Sequence, residues 1–127
     1  MLWRGLMSRD HRNLKAFQLA DELALRVYRE TASFPASERF GLQSQLRRAA
    51  VSIPANIVEG SSRSSQRDYR HFVEIALGSA CEVDYLIDLS ARLSFMSEDG
   101  RRRCKNYSTQ GIKTLQKLIT FLDESRS

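Results

Sequence analysis

Four stretches of this chain repeat their apolar residues every three or four positions, and none alternates them. The first runs from Leu14 to Thr31, with Leu14, Phe17, Ala20, Ala24, Val27, Tyr28 and Thr31 on one stripe. The second spans Phe40 to Gly60 and lines up Leu42, Leu46, Ala49, Ile53 and Ile57. The third, Gln66 to Phe95, carries Tyr69, Phe72, Val73, Ala76, Ala80, Val83, Ile87 and Ser90. The fourth begins after Ser97 and ends near Leu122, with Cys104, Tyr107, Ser108, Gly111, Leu115, Leu118 and Ile119 inward. A period of 3.6 on all four predicts an all-α chain. Short connections between them predict an up-down-up-down antiparallel four-helix bundle. Pro35 stops the first helix, and Ser37 is placed to cap the second. Ser65 with Asp68, and Ser97 ahead of Glu98 and Asp99, are N-terminal signals for the third and fourth.

The second stretch, "SQLRRAAVSIPANIVEG", holds a proline inside a helical pattern. Pro54 cannot donate to the carbonyl of Ala50, and its ring pushes that carbonyl away. The expected results are a cost of roughly 3 kcal/mol in an exposed helix and a kink at Pro54. Val51, Pro54 and Val58 fall opposite the core stripe and form a second apolar patch. Arg47 and Arg48 point about 100° apart, so one is expected to reach a carboxylate on another helix or another subunit.

A length of 127 residues fits one domain over residues 10–127, with residues 1–9 read as a loose extension and Met7 as an alternative start. No apolar run is long enough for a membrane span or a secretory signal. Cys81 and Cys104 lack metal or redox spacing and read as buried thiols in a reducing cytoplasm. The net charge is +5, but it is unevenly spread. Residues 34–70 hold six basic and three acidic side chains, whereas residues 71–99 hold one basic and six acidic. Such asymmetry suits an anionic partner or a self-association that joins unlike faces.

The usual catalytic constellations are missing. Two histidines cannot build the Glu-x-x-His pairs of a bundle metal site, and His71 with Glu74 reads as a solvated pair. "EGSSRSS" follows a helix and has one glycine, so it is no phosphate loop. No cofactor is expected. The run "RRRCK" opens the fourth helix, where cations oppose the helix dipole. An anion or an acidic neighbour would offset that cost. Arg101, Arg102, Arg103 and Lys105, with Arg63 and Arg67, are the candidate nucleic-acid contacts, and a plain solvated face is the bland reading.

"FPASERFGLQSQLRRAAVSIPANIVEGSSR" resembles the signature of small bacterial four-helix-bundle proteins encoded in intervening sequences of large-subunit ribosomal RNA genes. These are also labelled S23-type. Val27-Tyr28 and Thr31 before it, and Phe72, Ala76, Gly78-Ser79 and Glu82 after it, extend the likeness. The likeness is good from Asp10 to Leu93, and the fourth helix matches by type alone. Accessory proteins of diversity-generating retroelements are similar, and those form ring-shaped pentamers that bind a reverse transcriptase and nucleic acid. The resemblance implies a non-enzymatic bundle that assembles into a ring. The expected partners are further copies of the chain and either RNA or DNA. The alternative is a scaffold for another protein, without nucleic acid. Arg47, Arg48, Val51, Pro54 and Val58 are the candidate subunit interface, facing an acidic third helix bearing Glu74, Glu82, Asp84 and Asp88.

Overall fold

The structure is a computed structural model and describes residues 10–125. The readings placed on residues 1–9 lie outside it. Four α-helices account for most of the described chain: α1 Lys15–Thr31, α2 Leu42–Ser61, α3 Gln66–Arg92 and α4 Glu98–Ser125. Two short 3₁₀ turns, His11–Asn13 and Ala36–Glu38, precede α1 and α2. The described residues contain no strand. Helix α1 packs along α2 and α4, and α3 packs along the same two.

The core fills the space between the four helices. Leu46, Ile53 and Ile57 of α2 face Val73, Ala76, Val83 and Ile87 of α3, all nearly solvent-free. Burying side chains of this size contributes about 1.5–3 kcal/mol each. Small residues bring the axes close. A Cβ on Gly60 would lie 2.9 Å from the Cβ of Phe72, so α2 and α3 nearly touch there.

The α2 and α3 stripes match the sequence pattern, with two adjustments on α3. Phe72 is half-buried, and Leu86, outside that stripe, is in the core. On α1 the stripe is rotated. Ala16, Leu19 and Leu23 join Ala20, Val27 and Thr31 inside, while Tyr28 is 46% exposed. Apolar residues cover much of α1, so the wheel alone leaves the centre of its stripe ambiguous. On α4, Tyr107, Leu118 and Ile119 sit at the rim of the core. Cys104 is buried, whereas Cys81 is exposed, which corrects its reading as a buried thiol.

Caps explain the helix ends. Ser65 Oγ accepts from Asp68 N at 3.1 Å, and Ser97 Oγ accepts from Gly100 N at 3.0 Å, both as the sequence indicates. Helix α2 starts two residues later than Phe40. Glu38 rather than Ser37 serves its first turn, accepting from Leu42 N at 3.0 Å. Helix α3 ends at Arg92 in a paired-bond C-cap. Phe95 N donates to Ser90 O at 2.9 Å and Ser94 N to Ala91 O at 3.0 Å.

That cap puts Ser94 in the left-handed region at φ 63°. A non-glycine residue there costs about 1–2 kcal/mol. Ser94→Gly is therefore expected to stabilise the fold by about 1 kcal/mol after its own entropy cost. Urea unfolding should show a raised midpoint at unchanged slope. A lowered midpoint would mean that the serine side chain contributes more than the backbone strain costs.

Candidate functional site

The basic run at the start of α4 is paired with carboxylates, although Arg102 and Arg103 remain exposed. Arg101 Nε donates to Asp88 Oδ1 at 2.8 Å, and its Nη1 reaches Glu98 Oε1 at 3.2 Å. Arg102 pairs with Asp99. Arg103 grips Glu30 of α1 through two bonds of 2.7 and 3.2 Å. Lys105 Nζ lies 2.9 Å from both Asp84 and Asp88, and Ser108 Oγ donates to Asp84 at 2.7 Å. The sequence asked what anion offsets cations at a helix N-terminus. The structure supplies the protein's own carboxylates, from α1, α3 and the first turn of α4.

These contacts leave their mark on proton affinities. Partial burial alone would raise the Asp88 pKa, but hydrogen bonds from Lys105 and Arg101 outweigh it and hold the carboxyl below its ordinary 3.8. Bonding to Asp88 raises Arg101, and bonding to Glu30 raises Arg103. Burial pushes the Cys104 thiol up to about 12, so it is unreactive at neutral pH.

A carboxylate with a lowered folded pKa adds stability that is complete above its unfolded pKa. That stability is lost as pH falls through the folded value. The α3–α4 network should therefore weaken below about pH 4. In an acid titration of the thermal midpoint, Asp88→Asn is expected to flatten the decline seen for the unsubstituted chain. Parallel curves would show that Asp88 contributes nothing through its charge.

Arg63 and Arg67 sit elsewhere. Arg63 pairs with Glu59 at 2.8 Å and lies over the Phe72 ring at 4.8 Å. Arg67 is exposed on the first turn of α3. That turn meets the far end of α4, where Gln66 Nε2 donates to Leu122 O at 2.6 Å and Arg70 pairs with Asp123. Arg67 and Asp88 are 21 positions apart on one helix, or about 30 Å. The six candidate nucleic-acid residues are thus divided between two ends of the molecule.

The α2 candidates also separate. Arg47 does not reach a carboxylate. Its Nε donates to Thr31 Oγ1 at 2.8 Å and its Nη2 to Tyr28 O at 3.2 Å, so it closes the C-terminus of α1. A cation is favourable at that negative dipole end. Arg48 is exposed. Val51 is 42% and Val58 38% exposed, with half-buried Pro54 between them on the outer face. Helix α2 is assigned without interruption through Pro54. Of the four acids expected to oppose this face, Asp84 and Asp88 turn to α4 and Glu74 pairs with Arg70 at 2.6 Å. Glu82 alone of the four stays by the α2–α3 cleft, accepting from Gln45 at 3.4 Å.

Two exposed rings escaped the sequence reading. Phe40, read as the start of α2, precedes it and is 91% exposed. Tyr28, read as core, is covered on one side by the Arg47 guanidinium 4.5 Å from its ring. The available signal was that Phe40 lies outside the Leu42–Leu46–Ala49 stripe. The described residues offer no group of three or more His, Cys, Asp or Glu side chains able to hold a metal ion.

The family model of the 23S rRNA-intervening sequence protein matches residues 12–117. The chain belongs to that family. The match runs through most of α4, which the sequence likeness reached by type alone. A similar crystal structure has a TM-score of 0.75 and 26% identity to the chain. It covers 83% of this chain and 95% of its own, and is a protein of unknown function from the S23 ribosomal protein family of Bacteroides thetaiotaomicron. No curated protein matches the chain. Among the described residues, no helix is long and apolar enough to cross a membrane.

Proposed function

We propose that the protein is a non-catalytic cytoplasmic scaffold. Its four helices form an up-down-up-down bundle bent at Pro54, and its copies close into a ring, most simply a pentamer. The observation that carries this reading is the outward patch of Val51 and Val58 around Pro54. A monomer would keep in water both the apolar surface and the proline's cost. A ring needs a heterologous contact, in which one face meets a different face of the next copy. The α2 patch is apolar and bordered by Arg48, which shares the α2–α3 cleft with Glu82 of the same subunit. Arg47 is occupied within its own subunit, so Arg48 is the arginine left for the seam.

The scaffold's cargo has two readings. The excess positive charge favours RNA or DNA. The ion pairs of Arg101, Arg102, Arg103 and Lys105 favour a protein cargo, because binding phosphate there first requires breaking contacts to Asp88, Asp99, Glu30 and Asp84. Sedimentation across a dilution series tests the assembly. One species of several subunits is expected, and a monomer throughout would end the scaffold reading. The ultraviolet absorbance ratio of the purified protein separates the cargoes: co-purifying nucleic acid supports the first, and its absence with one recovered protein supports the second.

A further inference from the structure

Two exposed rings and three arginines meet where α1 ends and α2 begins, and no carboxylate shares their cleft. The cleft holds about 290 Å³ and is bordered by Tyr28, Arg39, Phe40, Arg47 and Arg48. Arg47 bonds only neutral oxygens, so its charge is not cancelled. Arg39 lies 5.9 Å from the centre of the Phe40 ring. Neither Arg39 nor Arg48 enters an ion pair among the described residues. Glu38, the acid of the adjoining turn, accepts from Leu42 N. Lone exposed aromatics are ordinary. Rings interleaved with uncompensated arginines make a stacking platform on a positive surface.

We propose that this cleft binds single-stranded nucleic acid, with bases stacked on Phe40 and Tyr28 and phosphate held by Arg39 beside the uncancelled charge of Arg47. A duplex hides its base faces and gains nothing from Phe40. A phosphopeptide would use the arginines and leave the rings idle. Phe40 also borders a larger cleft of about 550 Å³ between α2 and α3, but there Glu82 offsets the charge of Arg48, whereas the α1 side holds no carboxylate. The strand therefore follows the α1 side. The contact lies at the same end of α1 as the α4 cluster, whose Arg103 holds Glu30 two residues from Tyr28, but it uses arginines that hold no carboxylate. The proposal rests on the protein being a binding scaffold but not on its assembly.

The test is fluorescence anisotropy with a labelled oligouridylate of about 12 nucleotides. Phe40→Ala is expected to weaken binding about 5- to 100-fold, the loss of one stacked base. Arg39→Ala should weaken it and lower the salt slope by about 0.7, the share of one single-strand phosphate contact. Both side chains are exposed and lie away from the Val51–Val58 patch, so folding and subunit number should hold. Circular dichroism and solution mass check both. The proposal is overturned if Phe40→Ala binds as the unsubstituted chain does, or if the loss is confined to the Arg101, Arg102 and Arg103 triple alanine variant. It is equally overturned if duplex RNA or uridine monophosphate competes as well as the strand. A monomer that binds the strand sinks the ring and keeps the cleft. A ring that binds no strand sinks the cleft and keeps the ring.

Discussion

Gly60→Ala is expected to destabilise the protein by about 1–3 kcal/mol, although alanine is the better helix former by about 1 kcal/mol. The added methyl would sit 2.9 Å from Phe72 Cβ, 3.0 Å from the Tyr69 ring and 3.3 Å from Tyr69 O. Part of that wall is backbone, so α2 and α3 have to move apart at their closest approach. Gly78 supplies the control. No atom lies within 4 Å of its virtual Cβ, and it is exposed on α3. Gly78→Ala should therefore stabilise the fold by about 1 kcal/mol from helix propensity alone. One substitution type thus carries opposite signs on two helices in contact. For a chain of this length each kcal/mol moves the thermal midpoint by about 3–5 °C. Equal shifts at both positions would show that packing between α2 and α3 is looser than described.

Val51→Asp is expected to reduce the assembly to single chains while leaving the helix content intact. Val51 is partly exposed within one chain, so a carboxylate there is tolerated by the monomer. At a seam it would be buried without a partner, which costs several kcal/mol per copy. In the proposed ring, burial of a few hundred Å² of apolar surface, at roughly 25 cal/mol per Å², would outweigh the proline's cost and hold the seam together. Arg48→Glu probes the rim of the same surface and should weaken assembly less. An oligomer indifferent to both changes would move the interface off α2.

The helices were legible in the sequence because each spaces its apolar residues by 3.6, and α3 and α4 also mark their starts with a serine that caps. The caps at Ser65 and Ser97 are local chemistry and could be read locally. The α1 stripe was harder, because Leu14, Phe17, Leu19, Leu23, Leu25 and Tyr28 surround much of that helix. The positions of α2, with Arg47 over Tyr28, and of α4 decide which of them face inward. The charged surface was the least legible part. "RRRCK" has the same composition whether it meets solvent, phosphate or protein. Its pairing with Asp84, Asp88 and Glu30 depends on contacts between residues 13 to 73 positions apart. The sequence showed that the run costs something at a helix N-terminus, and long-range packing supplied the carboxylates. Phe40 illustrates the reverse case. Read as the start of α2, it lies just ahead of Gly41, before the helix and outside the core.

The central claim is that the bundle is one subunit of a closed ring, and the solution mass tests it most directly. Light scattering coupled to size exclusion, at micromolar chain concentration, should give about five times the 14.6 kDa chain mass. A stable species of 14.6 kDa under those conditions would contradict it.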